Sequence, residues 1–190
     1  MTAPREIIPL TRPLDCIVTV PGSKSITNRA LILAAMARGK SSLTNAIFSD
    51  DSRALIDCLG RLGYDISTDE TAKKIEIRGG APGGKASVNV GSAGTAARFL
   101  TAMLAAHEGE YTIDASEQMK KRPMKALFDT LADLGCRIEY LGAEGHLPCR
   151  LRGGRLCGGE VVIDASQSSQ FTSALLMCGH LHQNDLIIRP

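Results

Sequence analysis

Arg53-Ala54-Leu55-Ile56-Asp57-Cys58-Leu59-Gly60-Arg61-Leu62-Gly63 returns about 70 residues later as Lys125-Ala126-Leu127-Phe128-Asp129-Thr130-Leu131-Ala132-Asp133-Leu134-Gly135. Each copy carries apolar residues at helical spacing and closes on a glycine, the pattern of an amphipathic helix with a left-handed stop. The repetition extends both ways. Downstream, Ile75-Glu76-Ile77-Arg78-Gly79-Gly80 matches Cys149-Arg150-Leu151-Arg152-Gly153-Gly154. Upstream, Val18-Thr19-Val20 leads into Ser23-Lys24-Ser25, and Val88-Asn89-Val90 leads into Ser92-Ala93-Gly94-Thr95. A third opening, Val161-Val162-Ile163, leads into Ser166-Gln167-Ser168-Ser169.

Short β-branched runs and 3.6-residue apolar spacing predict strand 16–20, helix 23–38, strand 42–47, helix 50–62, strand 64–68 and strand 74–78 for the first copy. The unit is therefore βαβαββ and the fold class α/β, with Gly39, Gly63 and Gly135 as helix stops. The units run over about 21–85, 86–157 and 158–190, two complete and the third cut after βαβ. A unit stopped there lacks partners for its apolar faces, so the sequence predicts a truncated product, with a divergent, shortened cap as the alternative.

Composition narrows the partners. The 190 residues are 44% hydrophobic and 22% charged with a net charge of +2, a globular balance without the basic excess that would call for nucleic acid or a membrane surface. Six cysteines lie scattered without a C-x-x-C spacing, and no apolar leader or membrane-length run is present, which predicts a reduced, cytoplasmic protein.

The helix starts carry the chemistry. The first turn of a helix presents unpaired N–H groups and a partial positive charge, so cations placed there are unfavourable by roughly 0.3–1 kcal/mol each unless an anion answers them. Lys24 and Arg29 lie at the first helix start, and Lys120, Lys121 and Arg122 precede Pro123, a natural first helical residue. By contrast, Asp50, Asp51 and Ser52 open the second helix as capping predicts, and read as structural. The helices at 94 and 168 open with Gly94-Thr95 and Ser168-Ser169-Gln170, small groups that offer N–H and hydroxyl donors to an oxyanion. Symmetric packing would bring these starts to one end. Taken singly, each is also explained by a turn, a cap or a solvated face.

Other chemistries fit less well. Gly22-Ser23-Lys24-Ser25 and Gly39-Lys40-Ser41 resemble the end of a phosphate-binding P-loop, but Ile17 and Ala34 stand where its first glycine is required. Cys178-Gly179-His180-Leu181-His182 suits a helix C-terminus better than a metal site, His107 and His146 read as loop residues, and no metal or cofactor is expected. The cysteines have no positioned base and are not assigned a nucleophilic role.

Four ordered motifs, Pro21-Gly22-Ser23-Lys24-Ser25 through Asn28-Arg29-Ala30, Gly94-Thr95-Ala96 with Arg98, Met119-Lys120-Lys121-Arg122-Pro123, and Ser168-Ser169-Gln170-Phe171, resemble the 5-enolpyruvylshikimate-3-phosphate synthase family over nearly the whole chain. The resemblance implies an inside-out α/β barrel domain of βαβαββ units and a second, similar domain that these residues lack, joined through residues 1–20. It implies enolpyruvyl transfer from phosphoenolpyruvate to the 5-hydroxyl of shikimate 3-phosphate, in a cytoplasmic enzyme that is a monomer at full length. Lys24 would contact both substrates, Ser25 and Arg29 the shikimate part, and Gly94 and Arg122 phosphoenolpyruvate. Arg98 would add positive charge, Ser168 and Ser169 would grip the shikimate phosphate, and Gln170 would lie between the two. Ser92, Thr95 and Lys120 are secondary candidates. The principal acid and base groups are expected from the other domain, so the isolated chain is expected to bind without turnover.

Ser92 stands where the family commonly has Asn, and Phe99 where Pro or Leu is more familiar. The family is also the target of glyphosate, on which these changes are silent. Two alternatives remain open on the residues alone. One is the sibling transferase acting on UDP-N-acetylglucosamine, which usually has Asn at position 25 and often Cys at 117, where this chain has Ser25 and Glu117. The other is a non-catalytic anion-binding module.

Overall fold

The computed structural model describes residues 6, 9–13, 15–18, 20–166 and 168–189. Ser23 caps α1 (Lys24–Met36) by accepting from the Ile26 N–H at 3.4 Å, and Ser49 caps α2 (Asp50–Arg61) by accepting from Ser52 at 3.3 Å. Asp50 and Asp51 sit in the first turn of α2, where the helix dipole favours them. Gly63, after α2, and Gly135, after the later helix α5 (Lys125–Asp133), take φ of +92° and +106°, the left-handed stop the sequence predicts. Gly39 does not serve that role. α1 has already ended on an extended Ala37, and Gly39 begins strand β1 (Gly39–Leu43).

β1 therefore lies earlier than the predicted strand 42–47, because its Gly-Lys-Ser-Ser composition hides it from propensity. Its pairing creates it: β1 runs antiparallel to β3 (Lys74–Gly79) with Gly39 opposite Gly79, and β3 in turn pairs with β2 (Asp65–Asp69). The second sheet has order β4 (Lys85–Asn89), β5 (Gly109–Asp114), β7 (Cys149–Gly153), β6 (Arg137–Tyr140). β5 and β7 reproduce the first pairing, with Gly109 opposite Gly153. The third sheet is β8 (Gly159–Val162) parallel to β9 (Leu186–Arg189), matching the parallel β4–β5 pair.

The predicted strand 16–20 is not formed among the described residues; Thr19 lies outside them. Ile17 is 98% exposed and Val18 74%. β-branched residues prefer extended backbone, but a strand needs a neighbour for its N–H and C=O groups, and residues 16–18 have none within the described fold. The edge of β1 where the second sheet has β4 is correspondingly open.

The sheets turn one face outward and close on helices that meet inside. Ile75 and Ile77 of β3, Tyr111 and Ile113 of β5, and Cys149 and Leu151 of β7 point inward and are essentially inaccessible. At the centre lies α3 (Gly94–Ala105), all of whose residues are buried. It packs against α1, α2, α5 and α6 (Ser169–Cys178). Phe99, Leu100, Met103 and Leu104 each contribute about 1.5–3 kcal/mol by leaving water. The two sheets also grip their helices alike. Gly80 N–H bonds to the Ala35 carbonyl at 2.9 Å, and Gly154 N–H to the Ala105 carbonyl at 3.0 Å. Gly79 and Gly153 lie so close to those helix ends that a Cβ would come well under 3.0 Å from carbonyl oxygens. No helix among the described residues is long and apolar enough to cross a membrane.

Candidate functional site

The starts of α1, α3 and α6 come together through side chains that cross from helix to helix. From α1, Arg29 donates to Ser173 Oγ of α6 at 3.0 Å, and its guanidinium lies 5.1 Å from the Phe99 ring centroid of α3. From α3, Arg98 lies 5.2 Å from the Phe171 ring centroid of α6, and Thr95 Oγ1 accepts from Gln170 Nε2 at 3.3 Å. Two arginines thus rest on two phenylalanines, an arrangement that holds a cation by ring quadrupole without consuming its charge. Phe99, unfamiliar at its position by the family pattern, is one of these platforms.

At the head of α3 the charge concentrates. An atom built at the Cβ position of Gly94 would lie 2.6 Å from Arg98 Nη1 and 3.1 Å from Arg122 Nη1, so both guanidinium groups flank the space over this glycine. Arg98 is 8% exposed, donates to the Gly94 carbonyl at 2.9 Å and has no partner for its Nε among the described residues. Burial first, and Arg122 second, push its pKa below the usual arginine value. Among the described residues, no carboxylate pairs with Arg98 or Arg122. Two guanidinium groups beside a helix N-terminus, without acidic partners among the described residues, have the chemistry to receive an anion, and the planar fork of each suits a carboxylate or phosphate.

Lys24 at the start of α1 is half exposed and pairs with Asp51 of α2 at 3.2 Å. Asp51, expected only to complement its own helix, therefore also meets the first candidate cation. Ser25 is exposed, and its carbonyl accepts from Arg29 Nη1 at 3.2 Å. Ser168 caps α6, its Oγ accepting from Gln170 N–H at 3.2 Å, which leaves the hydroxyl hydrogen to give. Ser169 is exposed in the first turn.

Ser92 and Lys120 are engaged elsewhere. Ser92 Oγ hydrogen-bonds with Ser116 Oγ at 2.8 Å, and Ser116 caps the short helix α4 (Glu117–Lys120). The Lys120 ammonium sits 3.2 Å from Asp114 and 3.0 Å from Glu117. The helix expected to begin at Pro123 starts at Lys125, with no side-chain cap at Met124. Arg122 consequently lies in a linker between α4 and α5, not in a helical turn. Ser173 and Ser116 complete the constellation with only local signals in the sequence: Ser173 lies one turn after Ser169 on the same helix, and Ser116 is a serine directly before Glu117, an N-cap pattern.

Among the described residues no cluster of His, Cys, Asp and Glu could hold a metal ion. Cys58, Cys149 and Cys178 are buried, and burial pushes each thiol up to about 12, the opposite of an activated nucleophile.

Comparison with known proteins gives a single answer. The family profile described as EPSP synthase (3-phosphoshikimate 1-carboxyvinyltransferase) matches residues 9–189. A 3-phosphoshikimate 1-carboxyvinyltransferase from Trichormus variabilis is 43% identical over 182 residues, 94% of this chain and 43% of the relative. One from Opitutus terrae is 47% identical over 180 residues, 92% of this chain and 42% of the relative. The solved EPSP synthase of Acinetobacter baumannii superposes with a TM-score of 0.80 at 26% identity, covering 91% of this chain and 40% of that one. The chain spans less than half the length of these relatives.

Proposed function

Because the chain belongs to the EPSP synthase family, we propose that it forms the half of a 3-phosphoshikimate 1-carboxyvinyltransferase that grips the anionic ends of both substrates. The observation that carries the reading is the Arg98–Arg122 pair converging over Gly94 without a carboxylate among the described residues. Arg122, exposed and forked, takes phosphoenolpyruvate, with Gly94 leaving room for it. Arg98, pinned to the Gly94 carbonyl, supplies fixed positive charge. Arg29 and Ser25 hold the shikimate part, and Ser168 and Ser169 its phosphate. Lys24 leaves Asp51 to reach both substrates; an exposed ion pair of this kind is worth about 0–1 kcal/mol and exchanges readily for a doubly charged ligand. Gln170, tied to Thr95, lies at the junction of α3 and α6 where the two ligands would meet. Ser92 and Lys120 are assigned to holding the surrounding turns.

In the reaction, the 5-hydroxyl gives its proton to a base as its oxygen bonds to C2 of phosphoenolpyruvate, and C3 takes a proton from an acid, giving a tetrahedral intermediate. C3 then loses a proton as phosphate leaves C2, which restores the vinyl group. Cations stabilise the anionic groups along this path, but the proton movements need acid and base groups as well. By family resemblance those come from outside residues 21–190, which we assign to one substrate-binding domain. Residues 1–20 we assign to the connection with the other, a role suited to the exposed Ile17, Val18 and Val20. The chain alone is then expected to bind and not to turn over.

Amide NMR titration tests this. Phosphoenolpyruvate should move resonances at Gly94 and Arg122, and shikimate 3-phosphate those at Arg29 and Ser168. A stronger response to UDP-N-acetylglucosamine than to shikimate 3-phosphate would transfer the chain to the sibling activity. Silence with all three would end the binding claim.

A further inference from the structure

The strongest feature outside the expected ligands lies behind Arg122. Its linker has few hydrogen bonds of its own between the buried Met119 and Met124: Pro123 has no N–H, α5 starts without a side-chain cap, and Arg122 N–H reaches only back to the Met119 carbonyl at 2.9 Å. It must nevertheless hold a guanidinium against the like charge of Arg98 before any anion arrives. The restraint comes from the connection between β6 and β7. There Gly145 accepts from the Met124 N–H at 2.8 Å, Glu144 pairs with Lys125 at 3.2 Å, and His146 Nδ1 meets the Lys120 carbonyl at 2.8 Å. Three consecutive residues thus fasten the linker on both sides of Arg122. A carbonyl oxygen only accepts, so Nδ1 carries the hydrogen, and in the neutral ring Nε2 is a bare lone pair.

We propose that residues 141–148 form a clamp that presets the Arg122 guanidinium for its anion, with His146 as the positioning residue that fastens the linker's leading side. The proposal rests on the reading of Arg122 as a ligand. It gives Lys120 a role through its carbonyl rather than its ammonium. It also makes His146, a loop histidine far from the helix starts in sequence, part of the affinity for phosphoenolpyruvate without touching it.

The test compares His146→Leu, which removes the donor, with His146→Asn, whose amide nitrogen occupies the Nδ1 position. In the 190-residue chain without ligand, His146→Leu should speed amide exchange at Arg122 and Met124 about fivefold, the loss of one net hydrogen bond, and His146→Asn should restore it. Phosphoenolpyruvate affinity should fall and recover by the same factor, while shikimate 3-phosphate affinity stays unchanged. Unaltered exchange in His146→Leu, or a loss that His146→Asn does not rescue, overturns the clamp. Equal losses for both substrates also overturn it, since they mark general damage to the fold. If the wild-type chain binds no phosphoenolpyruvate, Arg122 is not a ligand and the preset has no purpose, a failure of the underlying reading that the exchange measurement distinguishes from failure of the clamp.

Discussion

Substituting Gly153 by alanine should cost the fold about as much as a deleted core side chain, although it adds only a methyl group. Gly153 ends β7 opposite Gly109 and lies against the last turn of α3. A Cβ there would come well under 3.0 Å from the Leu104 and His107 carbonyl oxygens and 3.1 Å from that of Ala105. Leu104 and Ala105 belong to a helix buried along its whole length and His107 follows its end; all three contacts are backbone atoms, so no side chain can swing aside. β7 and α3 must part by about 1 Å, an overpacking cost of about 1–3 kcal/mol. The Gly154–Ala105 hydrogen bond weakens with them, about 1 kcal/mol more. The lower unfolded-state entropy of alanine returns about 0.4–1 kcal/mol, leaving a net loss of about 1–3.5 kcal/mol, centred near 2. With a urea dependence of about 2 kcal/mol/M, the midpoint should fall by about 1 M. Gly60→Ala is the control: it lies exposed on α2 with nothing within 4 Å of its added Cβ, and should stabilise by about 0.5–1 kcal/mol. The same chemical change thus moves stability in opposite directions at two sites. A Gly153→Ala midpoint within about 0.3 M of wild type would refute the account of how sheet and helix are joined.

Asp51→Asn should tighten inorganic phosphate at the α1 start by about threefold at low salt, because it removes the carboxylate that pairs with Lys24 at 3.2 Å and would repel the anion; isothermal titration reads this, and weaker binding would show that Asp51 orients Lys24 rather than competing for it. His182 is half-buried, neither ring nitrogen has a partner among the described residues, and burial followed by the nearby His180 lowers its pKa below the ordinary 6.5. The unfolded chain therefore binds the proton more readily, so thermal stability should fall as pH drops below about 6.5 towards the lower folded value, and His182→Phe should flatten that slope. The next contribution comes only in acid, where Glu76, held to about 2 by Lys40 and then Lys74, loses its pairs. Iodoacetamide should label the exposed Cys16 and Cys157 rapidly and leave Cys58, Cys136, Cys149 and Cys178 unmodified until urea unfolds the chain, as mass spectrometry would show.

What local sequence determines was legible. α1 and α2 fall within two residues of the predicted helices because serine caps, first-turn acids and apolar spacing act within a few residues. What pairing determines was not. β1 has the composition of a turn and becomes a strand only opposite β3, while residues 16–18 have the composition of a strand and no partner among the described residues. The site divides the same way. Lys24 and Arg29 stand out as cations misplaced on a helix dipole, and Arg98 only through the family motif, but the contacts that orient them come from distant segments. Ser173 meets Arg29 across 144 residues, and His146 meets Lys120 across 26. No local pattern encodes such distances. Asp51 was legible as a helix-start acid and illegible as the partner of Lys24 for that reason.

The complete burial of α3 bears on how mutational tolerance should be interpreted. The helix that presents Gly94, Thr95 and Arg98 at its head is also the strut on which α1, α2, α5 and α6 rest. In a saturation scan read by folded yield, positions 94–105 should form an unbroken band of intolerance, with no drop between the first turn and Met103 and Leu104. On the outward face of β2 and β6, where Asp65, Ser67, Arg137 and Glu139 meet solvent, substitutions should pass almost unnoticed. Sequence drift in this protein is thus channelled to its outer skin, and changes at the head of α3 must remain compatible with the packing of the whole helix before any other selection can act on them.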